Sequence, residues 1–405
     1  MKKVFIACLL LLTIILCFTS YANAQDSVVE APYINVFVNG SLVEFDDVPL
    51  IVNGRTLLPL RELTTSLGVQ NDNEHIVWNN VGKRVTIYKD TTEIFMEMYN
   101  HTLVVNNKPI NMDQTPIIYE KTGKAYVPAR YIAEALGNVV VWDGMTESIF
   151  IADKDTFNNV KDILSKLIQS NQSNEKVKAD YNISIQENSN GEDTGTTLVK
   201  VAVESDKSKN ILHADITAGG GILYFMKLNM EFYIAGNKIY YNDFATGSWK
   251  ILLDDTDDIM SFIDIDDISF EPYINTEVPD IICAFLQVKE TGNPDEIVLT
   301  AGKYTNELIK IITGIDEEFD LADYDDQFYV ELTIDSNTYN LEKVNIIIVD
   351  IYEYDFGYID YETIILLDEY EPITYRNVTT IRITGVYEYN DDVDIKLPDY
   401  INNVI

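Results

Sequence analysis

Apolar and polar positions change period along the chain, and each change marks an element. YINVFVNGSLVEF alternates around Asn39-Gly40, which predicts two short strands joined by a two-residue hairpin. The run VPLIV then ends at Asn53-Gly54, a dipeptide that tolerates positive φ, and a strand TLL runs into Pro59. Pro59 has a fixed φ and no N–H, which suits a first helical position. Leu60, Leu63 and Leu67 follow at i, i+3 and i+7 as one helix face, and Gly68 is placed to stop the helix in the left-handed region.

That stretch is written twice. NGRTLLPLRELTTSLG (53–68) returns as TGKAYVPARYIAEALG (122–137), with Pro59 and Pro128, Arg61 and Arg130, and Gly68 and Gly137 at one constant interval. Ala129, Ile132 and Leu136 repeat the helix face, and a tryptophan strand follows each copy, at Trp78 and at Trp142. Each copy is predicted as strand, short helix, strand, with the tryptophan strand covering the helix. Two copies point to a duplication inside one compact unit. KRVTIY and a hairpin over TEIFMEMYNHTLVVNNKPINM lie between them, and ESIFIAD closes this domain near Asp153.

Past Asp153 the pattern turns helical and then strictly alternating. Phe157, Val160, Ile163, Leu164, Leu167 and Ile168 form one side of an amphipathic helix over 155–170. Long alternating segments follow, with turns at Gly219–Gly221 and Asn242-Asp243 and helical pieces near 256–268, 279–289 and 303–314. The predicted class is α+β: a duplicated strand–helix–strand domain over 25–153, then a mostly antiparallel β domain with one long N-terminal helix over 154–405.

The first 24 residues change the compartment. Lys2 and Lys3, an apolar run over 4–18 and Ala22-Asn23-Ala24 form a secretory signal peptide cleaved after Ala24. Cys17 follows Leu16 rather than a small residue at the cleavage site, which excludes lipid anchoring. No later run approaches the ~18–20 apolar residues of a membrane span. The mature chain is therefore expected outside the cell membrane, either free or held at the surface. It keeps one cysteine, Cys283, in the apolar run IICAFL, and so folds without a disulfide.

Net charge is −37, and residues 154–405 hold 49 acids against 18 bases. Such a surface repels nucleic acid and anionic membranes. The acidic runs at 252–269 and 316–327 lack the glycine and closing glutamate of a calcium loop and read first as solvated faces. His75, His101 and His213 lack metal-ligand spacing, and no nucleophile, zinc-protease or phosphate-loop motif occurs. No catalytic residue, metal ligand or cofactor is assigned, and the chain is read as a non-enzyme. Arg61 and Arg130 sit in a first helical turn, against the macrodipole, which calls for a specific partner. Either a structural bridge or a ligand-binding pair would supply it. The tyrosines beside acids on strands read as half-buried sheet positions or as platforms for wall polymer.

The run I-x-V-x-V-N-G, then N-G-R-T-L-L-P-L-R, then L-G and a tryptophan strand resembles the copper amine oxidase N-terminal-like (stalk) domain over about 34–152. Gly54, Arg55, Pro59, Arg61, Gly68 and Trp78 carry the likeness in the first copy; Pro128, Arg130, Gly137, Trp142 and Asp143 carry it in the second. Gly123-Lys124 replaces N-G-R, Ala129 stands between Pro128 and Arg130, and Asn79 rather than Asp follows Trp78. The resemblance implies a small accessory domain of exported bacterial proteins that supports binding or surface presentation. Amine oxidation needs a histidine copper site and a tyrosine in N-Y-[DE], and this chain has no such tripeptide.

Residues 155–405 resemble, more weakly, bacterial lipoprotein-carrier half-barrels, through MEFYIAGNKIYYNDFATGSWKIL and the ending DVDIKLPDYINNVI. That resemblance implies a curved sheet and helix around an apolar pocket for a lipid-like ligand or a partner's segment; the residues themselves fit a pocket and a filled core equally. The function expected is a secreted, non-enzymatic binding protein whose ligand-binding residues are not identified. The alternative is a cell-envelope module that meets wall polymer or divalent cations through an acidic, Tyr-rich face.

Overall fold

The computed structural model describes residues 28–144, 146–221, 223–235, 238–243, 245–253, 278–301, 327–356, 359–360, 365–366, 373–390 and 393–402. The signal peptide, the helical pieces near 256–268 and 303–314 and most of both acidic runs lie outside the described residues. Contacts divide the chain into two compact units. The first holds 28–34 and 45–136, and the second holds 35–44 and everything described from 137 onward. The hairpin at Asn39-Gly40 and the strands on either side of Met145 therefore group with the second unit, although the sequence boundary near Asp153 placed them in the first domain.

Unit one contains β1 (Val28–Glu30), β4 (Leu50–Val52), β5 (Arg55–Pro59), α1 (Leu60–Ser66) and a meander of β6 (Ile76–Asn79), β7 (Arg84–Lys89), β8 (Thr92–Glu97), β9 (Thr102–Val105) and β10 (Lys108–Asn111). It ends with β11 (Ile117–Tyr119), β12 (Lys124–Pro128) and α2 (Ala129–Ala135). β5 and β12 pair antiparallel at the centre of the sheet β1-β4-β5-β12-β11, with Leu58 opposite Val127 and Pro59 opposite Tyr126. Both prolines end a strand and cap the next helix at φ −57° and −61°, one position before the first helical residue. α1 buries Leu60 and Leu63, and α2 buries Ala129, Ile132 and Ala133. Gly68 and Gly137 follow at φ +84° and +83°, a conformation that a Cβ would strain.

Unit two opens with β2 (Asn35–Val38) and β3 (Ser41–Leu42), then β13 (Asn138–Asp143) and β14 (Ser148–Asp153). They form the sheet β13-β14-β2-β3, in which β14 runs parallel to β2. The hairpin turn has Asn39 and Gly40 at φ +50° and +74°, as a type I′ connection requires. A Cβ on Gly40 would also lie 2.9 Å from the Phe285 carbonyl oxygen, so glycine is needed there twice over.

α3 (Lys154–Ser173) follows β14 directly. Asp153 caps it, its carboxylate accepting from the Thr156 N–H at 2.9 Å. Next come β15 (Lys176–Ser189), β16 (Glu192–Asp206), β17 (Ile211–Gly220), β18 (Leu223–Ala235), β19 (Lys238–Asp243) and β20 (Ser248–Leu253). After α4 (Asp280–Phe285) come β21 (Gln287–Lys289), β22 (Glu296–Ala301), β23 (Gln327–Asp335), β24 (Leu341–Phe356), the short pair β25 (Ile359–Asp360) and β26 (Ile365–Leu366), β27 (Ile373–Tyr389) and α5 (Asp399–Asn402). Eleven of these strands make one antiparallel sheet of order β20-β19-β18-β17-β16-β15-β27-β24-β23-β22-β21, curled as a half-barrel. β27 is the join: it pairs with β15 on one side and β24 on the other, linking two local meanders.

α3 buries Phe157, Val160, Ile163, Leu164 and Leu167 in one core with Cys283 and Phe285 of α4 and with Leu299, Val330, Ile334, Val344 and Ile346 of the sheet. Phe150 stacks on Phe37 at 4.9 Å and meets Phe285 at 4.6 Å, so the small sheet shares this core. A second core, Tyr233, Ala235, Tyr240, Val393, Ile395 and Ile401, seats the C-terminal segment on the opposite face of the large sheet. Two outcomes follow. Leu164→Ala removes a side chain that is 1% exposed and lowers stability by about 2–5 kcal/mol in a denaturant titration. Cys283 is fully buried and burial pushes its thiol up to about 11, so at pH 8 it should resist a thiol reagent in the native chain and react once denatured.

Candidate ligand-binding face

Residues opposite one another in a sheet share a face, so the register of the large sheet sorts its side chains. One row reads Leu299, Leu332, Val344, Gly385, Tyr181, Val201, Ile216, Met230, across eight strands from β22 to β18. The row beside it reads Ala301, Val330, Ile346, Ile383, Ile183, Val199, Ala218, Leu228. Every residue in both rows is apolar, glycine or tyrosine. The positions next to them in sequence, among them Asp180, Asn182, Lys200, Asp215, Arg382 and Thr384, belong to the other face. This is the two-faced alternation of an antiparallel sheet, extended over eight strands.

The two ends of this apolar face differ in cover. At the β22–β24 end Leu299 is 0% exposed beneath α3 and α4, whereas at the β18 end Leu228 is 39% exposed. Ile183, Val199, Val201, Ile216, Met230 and Phe232, between those extremes, are half-buried. Dimensions account for part of this. A helix is about 10–12 Å across and strands lie about 4.8 Å apart, so one helix covers two or three strands of eleven. Beneath α3 its apolar side chains and those of the strands join one buried core. The half-open part of the apolar face lies beside the helix.

At the boundary of the covered region the Tyr181 and Tyr387 rings meet edge to face at 5.9 Å, with their hydroxyls 2.9 Å apart. Gly385 makes room for them: a Cβ there would stand 2.8 Å from the Tyr181 ring and 2.7 Å from Val344. A separate cleft of about 600 Å³ opens on the flank of α3, where Lys161 and Asp280 form an ion pair at 2.7 Å. Its lining includes Ser165, Gln169 and Gln172, which makes it a polar site unlike the sheet face.

On the polar face His213 lies between two carboxylates, Glu204 at 3.3 Å from Nδ1 and Glu231 at 3.3 Å from Nε2, and stacks on Tyr233 at 4.3 Å. His75 pairs with Asp72, and His101 Nδ1 meets the Met112 carbonyl. Among the described residues no three His, Cys, Asp or Glu side chains are placed to hold a metal ion. Tyr233 and Tyr240 are buried, so they form no exposed platform.

The residues that carried the N-terminal resemblance are engaged locally. Asn53 and Gly54 turn the chain at φ +52° and +72°. Arg55 pairs with Asp113 at 2.6 Å, and that guanidinium holds the Asp113 carboxyl below the usual carboxylate range. Arg61 donates to the Asn71 side chain at 2.8 Å, and Arg130 is exposed. Trp78 and Trp142 are 39% and 46% exposed, each on the outermost strand of its sheet. Asp143 accepts from the Thr146 N–H, and Asn79, at the corresponding place after Trp78, accepts from the Val81 and Gly82 N–H groups. Either residue closes the turn, because only a side-chain oxygen is required.

None of these residues lies on the apolar face, whose side chains the sequence did not single out. Alternation in TTLVKVAVES (196–205) puts Val199, Val201 and Val203 on one face, but their cross-strand neighbours depend on register.

The solved structures similar to this chain include a lipoprotein and a DUF1329 family protein. The Mycobacterium tuberculosis lipoprotein LppX is 10% identical, with a TM-score of 0.29, over 59% of this chain and 99% of its own. A DUF1329 family protein from Desulfovibrio piger is 10% identical, with a TM-score of 0.20, over 59% and 95%. At that backbone agreement nothing of either protein is carried over to this chain. No curated protein matches it. No described helix is long and apolar enough to cross a membrane. Residues 37–151 match the copper amine oxidase N-terminal domain family.

Proposed function

We propose that this chain is an exported, non-catalytic binding protein, and that the half-buried apolar face of β15–β18 holds a small apolar ligand. The observation that carries this is the pair of apolar rows, covered at one end and half-open at the other. Apolar side chains on a sheet face are normally buried by the protein itself, and an exposed apolar surface of this kind marks an interaction site. Each ligand methylene taken from water onto this face contributes about 0.8 kcal/mol, enough for a chain of modest length to bind. The half-open end is built on long strands, a rigid support for a site.

The residues over 25–153 fit a stalk-like accessory role within this reading. We take the two strand–helix–strand copies as a duplicated support. Gly54, Pro59, Gly68, Pro128 and Gly137 shape its turns, and Arg55 and Arg61 bridge its loops. The signal peptide over 1–24 would deliver the protein outside the cell membrane.

An environment-sensitive apolar fluorophore titrated into the purified mature chain tests the proposal. Saturable enhancement is expected. Val201→Asp, which places a carboxylate on the face, should weaken binding about tenfold or more. Asn182→Asp, on the opposite face, should leave it unchanged. A wild-type chain that gives no saturable signal, or a Val201→Asp chain that is folded by circular dichroism and binds normally, removes the apolar-face assignment.

A further inference from the structure

Charge placement narrows the ligand, given that the apolar face binds one. Of the basic side chains on the described strands, Lys178, Lys200, Lys289, Lys343 and Arg382 all occupy register positions on the polar face. Lys178 is engaged there by Asp180 and Glu388, and Lys289 by Glu331. On the apolar face stands Lys250, opposite Tyr241 at the β19–β20 edge and in an ion pair with Asp243. That pairing holds the Asp243 carboxyl below its ordinary range, so it stays ionised and matched to the ammonium at neutral pH.

A carboxylate or phosphate head group brought to this face would be desolvated without a free cation to meet it, which is costly. It would also approach a region whose residues 154–405 carry 49 acids against 18 bases. An ammonium head group gains from that field only while it remains in water; the two apolar rows hold no carboxylate, and Glu187, which continues this face past Ile183 and Ile185, stands at its margin. Hydroxyl and ester groups carry no such cost, and the Tyr181–Tyr387 hydroxyl pair shows that the face accommodates neutral polar atoms.

We infer that the face selects an uncharged amphiphile, such as a long-chain alcohol or a glyceride, over an anionic lipid of the same chain. The selection rests on the apolar-face reading, and the two fail in different ways. With the fluorophore bound to the mature chain, dodecanol, dodecanoate and dodecylamine are titrated as competitors at pH 8 and low salt. Dodecanol is expected to displace the fluorophore at about a tenfold lower concentration than dodecanoate, and at a lower concentration than dodecylamine. Raising the salt should narrow the gap to dodecanoate, since long-range repulsion is screened and the missing cation partner is not.

Dodecanoate matching or surpassing dodecanol overturns the inference, as does dodecylamine doing so. Failure of all three to displace a bound fluorophore overturns it too. Failure of the fluorophore itself to bind belongs to the apolar-face reading instead.

Discussion

The large sheet depends on one nonlocal pairing, the insertion of β27 between β15 and β24. Every other neighbour in that sheet is the next of its strands along the chain, which lowers the loop-closure cost. β27 arrives last and bonds on both edges, setting Ile383 opposite Ile183 on one side and Ile346 on the other. Side chains alternate with a period of two, so a slip of one residue in β27 would put Arg382 and Thr384 under α3 and send Ile381 and Ile383 to water. Gly385 pins the register further, because the Tyr181 ring and Val344 occupy the space of its missing side chain.

From that register follow both the core and the proposed site. With the apolar rows aligned, one amphipathic helix and the short α4 bury one end and leave the other half-open. The core under α3 and the half-open apolar surface beside it are two parts of the same face. The sheet's second face can then be charged, and it takes Lys178, Lys200, Lys289, Lys343 and Arg382 as well as the His213–Glu204–Glu231 contacts. The apolar side is left with Lys250, paired to Asp243, as its cation on the strands considered. Solubility and ligand selection would come from the same segregation of charge.

Much of the local structure was legible in the chain. The spacing of Phe157, Val160, Ile163, Leu164 and Leu167 placed on one side the residues that α3 buries. Asn39-Gly40 announced its turn, and Gly68 and Gly137 take the left-handed conformation that their positions after a helix face require. The prolines came within one residue of their helix positions, the ordinary precision of a helix boundary. Trp78 and Trp142 were less legible. Their strands are outermost in their sheets, and an outermost place is a property of the assembled sheet that no strand carries in its own sequence.

What the sequence by itself determined is the period of each segment, the turns, the acidic balance and the repeated Pro-Arg-Gly stretch. These are local, set by backbone sterics and by side-chain composition. Only the tertiary structure decided that β14 lies parallel to β2, that β27 closes between β15 and β24, and that Val201, Ile216 and Met230 stand in one row with Leu299. Alternation says which residues of a strand share a face. It cannot say which strand comes next, because hydrogen-bonded neighbours far apart in the chain are selected by the packing of whole faces.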